Sequence, residues 1–148
     1  MSFGSNSTKI YDADQVAMVF MGVPISSGLN DGVFLEIEQM AEDFTVKVGT
    51  DGEVTRSKTN NAVIKIKLHL MQSSGGNVFL SAINLLDKLG SNGAGVGPML
   101  VSDLQGTTAI AAASCWISKP PDMTFDREAT ERVWELTAVT SARLDGGN

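Results

Sequence analysis

The sequence predicts a mainly β, α+β fold: a small antiparallel β-barrel or sandwich of six to seven strands with one flanking α-helix. Three observations carry that reading. Apolar and polar residues alternate with period two at 33–40, 44–48, 62–70 and 133–142. A helical period occurs once, at 74–90. Clusters of Gly, Asn, Asp and Pro separate these segments. At 148 residues and 43% hydrophobic, the chain has the length and apolar content of one domain with its own core. No internal repeat or shift in composition divides it, so 1–148 reads as a single domain.

Residues 1–14 are polar and Ser/Asn-rich, and read as a flexible arm. The first strand, 16–23, is apolar throughout and stops before Pro24, the pattern of a strand covered on both faces. Turn residues at 28–32 follow. The second strand, 33–40, sets Leu35 and Ile37 against Glu36 and Glu38. The third, 44–48, sets Phe44, Val46 and Val48 against Thr45 and Lys47. Only Ala41-Glu42-Asp43 forms the tight link between them, so the two are expected to pair as a hairpin. Residues 49–61, GTDGEVTRSKTNN, hold one apolar residue, Val54, and read as a long polar loop of the functional or mobile kind. In the fourth strand, 62–70, Ile64, Ile66, Leu68 and Leu70 share one face, and Lys65, Lys67 and His69 the other. That basic face can pair with Glu36 and Glu38 if the two strands are neighbours.

The helix begins with Ser74 as cap and carries Phe79, Ala82, Ile83 and Leu86 at helical spacing. Leu80, Leu85 and Leu89 widen the stripe, which is expected to pack on the sheet, and Gly90 ends it. A glycine-rich loop at 90–98 leads to a short strand at 99–102, a turn at 103–106, and a strand of small residues at 107–118. Lys119-Pro120-Pro121 terminates that strand. Residues 125–132 are polar enough for a helical turn, 133–142 form the last strand, and 143–148 are expected to be loose.

Composition excludes several functions. Eleven Lys+Arg against 17 Asp+Glu give a net charge of −6, with no basic block, so phosphate-gripping nucleic-acid binding is not expected. No apolar run approaches the ~20 residues of a membrane helix, and no signal peptide is expected. A single cysteine, Cys115, excludes an internal disulfide and a cysteine zinc site.

Catalytic patterns are equally thin. Gly93, Gly95 and Gly97 miss the dinucleotide fingerprint, because Pro98 replaces its third glycine and a strand follows. Cys115 lies in an apolar strand far from His69, the only histidine, and reads as a buried inert thiol. Glu36 and Glu38 share a strand face, but acid catalysis needs one carboxyl raised by burial, and this face reads as wet. A hydrolase using that pair and a monomeric ligand-binding β-barrel are the alternatives. The ligand-binding barrel gives the long polar loop no role. No cofactor, no metal and no enzymatic activity are expected. The residues describe a β-fold whose working surface is its interfaces.

Several segments carry a resemblance. GTDGEVTRSKTNN at 49–61, the alternating strand at 64–70, Met71-Gln72-Ser73-Ser74, and Asn77-Val78-Phe79-Leu80 at the helix start resemble the tail tube proteins of contractile-tailed bacteriophages. Residues 19–25 and Trp134-Glu135-Leu136 sit where such chains have strands, so the likeness spans about 10–142. The resemblance implies a β-barrel with one flanking helix, related to type VI secretion tube proteins. It implies homohexameric rings whose sheets join into an inner barrel and which stack into a hollow tube inside a contractile sheath. Implied partners are further copies of the chain, the sheath protein, the tape measure protein and double-stranded DNA in the lumen, and the baseplate and tail terminator proteins. The implied location is the virion tail, assembled in the host cytoplasm, with no membrane insertion. The implied role is genome ejection, or injection by a tailocin or type VI-like machine. Asp51, Glu53, Arg56 and Lys58 correspond to the hairpin that reaches the adjacent ring. Glu36 and Glu38 are the expected lumen carboxylates, and Lys65, Lys67 and His69 would offset them if they faced the same way.

Overall fold

The computed structural model describes residues 10–25, 29 and 32–147. Most of the arm expected at 1–14 lies outside them. After a 3-10 turn at Ala13–Gln15 come β1 (Val16–Phe20), β2 (Val23–Pro24), β3 (Leu35–Gln39), β4 (Phe44–Val48), β5 (Val54–Lys58) and β6 (Val63–Met71). Then follow α1 (Gly76–Leu89), β7 (Gly97–Asp103), β8 (Ala109–Lys119) and β9 (Glu131–Leu144). Among the described residues seven strands form one antiparallel sheet in the order β2-β1-β7-β8-β9-β6-β3, and β4 pairs only with β5. The fold is mainly β with one helix, as the alternation predicts.

Alternation explains the core. On β6, Ile64, Ile66, Leu68 and Leu70 point inward and are buried, while Lys65, Lys67 and His69 point outward. On β9, Trp134, Leu136 and Ala138 are their inward counterparts. Met18, Phe20, Met99, Val101, Ile110, Ala112, Cys115 and Ile117 complete the lining from β1, β7 and β8. The sheet curls until its edges face each other across a cleft of about 450 Å³, with Leu35 and Ile37 on one side and Val16 and Val101 on the other. Hydrogen bonds do not close it, so the barrel stays open along that seam.

The helix covers the remaining side. Leu80 and Ile83 are buried against the core, and Phe79 meets Phe20 edge-on at 6.4 Å between ring centroids. Trp134 Nε1 donates to Asn77 Oδ1 at 2.9 Å, tying β9 to the first turn. The packed face is narrower than the apolar stripe predicts: Ala82, Leu85, Leu86 and Leu89 face outward. The helix therefore has a second apolar stripe that no described residue buries. Ser74 acts just ahead of the helix, accepting from the Gly76 N–H at 3.2 Å, and Gly90 ends it in an extended conformation.

Several boundaries differ from expectation. The first strand is not continuous over 16–23; Met21 (φ 53°) and Gly22 (φ 80°) reverse it, and β2 folds back on β1. Gly97 makes that reversal possible, because a Cβ there would lie 2.5 Å from Met21 Cγ. The helical turn expected at 125–132 is irregular up to β9. The tail at 143–148 is not loose at its start: Arg143 and Leu144 pair with Ile110 and Ala109, and the Thr108 hydroxyl donates to the Gly146 carbonyl at 3.0 Å.

Ile66→Asp would set a carboxylate in the centre of the core at a cost on the order of 5 kcal/mol. That is comparable with the ~5–15 kcal/mol that holds a domain together. Loss of the cooperative thermal transition is the expected result, checked by circular dichroism. Burial also pushes the Cys115 thiol up to about 12. Iodoacetamide near neutral pH should therefore leave the native chain unlabelled and modify it only after denaturation, as read by mass spectrometry.

Candidate functional site

The expected pairing of the second and third strands does not form. β3 pairs with β6, matching Glu36 to Lys67, Ile37 to Ile66 and Glu38 to Lys65. This register satisfies both faces at once: apolar residues meet on the core side and opposite charges on the outer side. The chain then leaves the sheet. Gln39 Nε2 donates to the Ala41 carbonyl (2.6 Å) and to Asp43 Oδ1 (2.8 Å), bending residues 40–43 away.

The segment expected to be a loop, 49–61, is instead the turn and second arm of a hairpin made by β4 and β5. Its root is closed by the Thr59 N–H donating to the Asp43 carbonyl at 2.7 Å. Its tip is shaped by Gly52 at φ 87° and by Asp51 Oδ1, which accepts from the Glu53 N–H at 3.1 Å. All ten residues of the two arms are exposed. One face carries Phe44, Val46, Val48 and Val54 together with Arg56 and Lys58; the other carries Thr45, Lys47, Thr55 and Ser57. The Arg56 guanidinium stacks over Phe44 at 4.3 Å. A lone two-stranded hairpin is marginal in water, and this one leaves its apolar face bare.

The second feature is the outer face of the sheet. Lys65, Lys67 and His69 form a central basic row on β6, flanked by Glu36 and Glu38 on β3 and by Glu131 and Glu135 on β9. Lys65 Nζ lies 3.3 Å from Glu135 Oε1. His69 bridges both flanks, with Nε2 2.9 Å from Glu36 and Nδ1 3.2 Å from Glu131. The basic row is thus enclosed by acid on both sides. Four carboxylates outnumber the three basic side chains of β6, so the patch is net acidic. Each exposed pair is worth only ~0–1 kcal/mol, so the array tunes surface potential more than stability.

The six residues named from the sequence therefore fall in two places: Asp51, Glu53, Arg56 and Lys58 on the hairpin, Glu36 and Glu38 on the charged face. The sequence reading missed the bare apolar face of the hairpin. Its signal was available in Asp51-Gly52 set between two alternating runs. It also missed the acidic flank from Glu131 and Glu135, whose spacing matches the outward phase of β9.

Comparison with known proteins gives the arrangement a context. The profile of the bacteriophage PhiTE tail tube protein family matches residues 10–145. Structural protein ORF10 of Pseudomonas phage KPP10 is 24% identical over 146 residues, covering 95% of this chain and 84% of that protein. The anti-feeding prophage cap (AFP tube terminating cap), solved by cryo-EM, shares the fold at a TM-score of 0.54 and 8% identity, over 93% of this chain and 95% of that one. With the family pattern running from the end of the arm through β9, this chain belongs to the bacteriophage PhiTE tail tube protein family.

Proposed function

We propose that the chain is a structural, non-catalytic subunit of a phage tail tube, whose copies close into hexameric rings and stack into a hollow conduit. The conduit stands inside a contractile sheath and delivers the genome into the host. The observation that carries this reading is the β4–β5 hairpin. It exposes Phe44, Val46, Val48 and Val54 beyond the body of the domain, which a solitary subunit has no reason to do. The outward stripe of Leu85, Leu86 and Leu89 on α1 supports it as a second surface awaiting a neighbour. Asp51, Glu53, Arg56 and Lys58 accompany the apolar contact between rings. The charged face lines the lumen, where its net acidity repels phosphates within a Debye length of ~8 Å and keeps DNA from adhering. Lys65, Lys67 and His69 do not defeat this, because carboxylates flank them on both strands.

A second reading is a tube subunit of a tailocin or type VI-like injection machine. The fold shared with the AFP tube terminating cap favours it. Packaged DNA in particles bearing this subunit separates the two.

Replacing residues 44–58 with a short Gly/Ser turn removes little buried area, so the body should keep its melting temperature. Tubes should disappear from negative-stain micrographs, leaving rings or monomers. Tubes of normal length in that variant would refute the hairpin's role. Glu36→Gln with Glu38→Gln leaves two carboxylates against two ammonium groups on the outer face. Phage carrying both changes should assemble normal tails but eject DNA more slowly at low ionic strength, with the defect shrinking as salt rises. Ejection at the wild-type rate would remove the lumen assignment.

A further inference from the structure

At the end of the β6–β9 ladder remote from the hairpin, a cation is buried without an acid. Arg132 follows the inward phase of β9 and is 5% exposed. Its Nη1 donates to the Thr130 hydroxyl at 2.8 Å and to the carbonyls of Glu131 (3.4 Å) and Thr124 (3.5 Å). Its guanidinium also lies 5.5 Å from the Phe125 ring. Among the described residues no carboxylate comes within ion-pair distance of it. Arg132 lines a cleft of about 310 Å³ with Pro121, Met123, Phe125 and Trp134. Met123 and Phe125 at its rim are 72% and 77% exposed. A buried guanidinium is costly unless a charge answers it, and the exposed apolar rim of Met123 and Phe125 is a separate liability. An acidic, partly apolar segment entering the cleft relieves both.

We propose that this segment is the β4–β5 tip of a second copy of the chain, with the Glu53 carboxylate on Arg132 and with Val48 and Val54 against Met123 and Phe125. The proposal rests on the tube reading and names the surface that receives the hairpin. Charge is complementary. Asp51 is committed to shaping the turn, while the Glu53 side chain has no hydrogen bond or ion pair among the described residues. Apolar surface matches too, since Val48 and Val54 are 63% and 62% exposed. Position agrees as well. The hairpin is rooted where β6 begins, with the Met40 N–H on the Val63 carbonyl, and the cleft lies where β6 ends and β9 begins. Nine extended residues separate the two by roughly 30 Å. Two complementary surfaces at opposite ends of one subunit give a heterologous, head-to-tail contact, which propagates as an open stack rather than closing as a dimer.

The test uses the full-length chain with Thr50→Cys and Met123→Cys, Cys115 being buried. Oxidised assemblies should yield a ladder of covalently linked chains on denaturing gels, absent from either single variant. A linked pair that does not extend, or no link at all in well-formed tubes, overturns the proposal. Arg132→Glu should abolish tubes, and adding Glu53→Lys should restore them. Because Arg132→Glu can fail to fold, Phe125→Ser at the exposed rim is the companion: unchanged melting temperature, with the concentration needed for tube formation raised at least about tenfold. If replacing 44–58 abolishes tubes but the Arg132 and Phe125 variants assemble like wild type, the cleft holds some other occupant and only this proposal falls. If replacing 44–58 leaves tubes intact, the hairpin assignment beneath it falls as well.

Discussion

The pairing of β6 with β9 is the constraint on which the rest depends. Nine consecutive residue pairs, from Val63↔Val139 to Met71↔Glu131, run without a bulge. In an antiparallel ladder a slip of one residue would exchange the two faces. It would bring Lys65, Lys67 and His69 into the core and put Ile64, Ile66 and Leu68 in water, a cost far beyond what charge pairing could return. The register is therefore held from the inside. The outer charge array, with His69 between Glu36 and Glu131, takes its geometry from that hold. The ladder also separates the two ends of the subunit. One end carries the hairpin root and the other the Arg132 cleft.

Among the described residues the sheet keeps open edges at β3 and at the start of β1, and open edges invite further pairing. The hairpin and the outer stripe of α1 expose apolar side chains that the fold could have buried or replaced. Each feature is a liability in a monomer, and in the tube proposed above each would meet a neighbour. Membership of a tail tube family supplies a reason for their presence. The sheet itself divides into a dry inner face that holds the fold and a charged outer face.

The legible parts of the sequence were those governed by local period. Ile64, Ile66, Leu68 and Leu70 announced the core strand, and Trp134 with Leu136 announced the last strand. Opposite charge at Glu36, Glu38, Lys65 and Lys67 allowed the two strands to pair if they were neighbours, and the β3–β6 register makes them neighbours. Less legible was the helix, where a wide stripe of leucines concealed the fact that only Leu80 and Ile83, with Phe79, reach the core. A period of 3.6 says that two faces differ; it does not say which apolar residues find a partner.

Taken by itself, the sequence determined the mainly β class, the single helix, the inert buried cysteine and the strand faces, because alternation, capping and turn chemistry act over a few residues. Tertiary structure alone decided which strands pair. β4 was as ready to join β3 as β5, and the choice followed from the simultaneous match of β3 to β6 in hydrophobicity and charge. It alone decided that the polar stretch after β4 becomes the second arm of a bare hairpin, and that Arg132, one more basic residue in a polar segment, lies buried beneath Phe125. Those outcomes depend on residues far apart in the chain competing for the same partners, and local pattern carries no record of that competition.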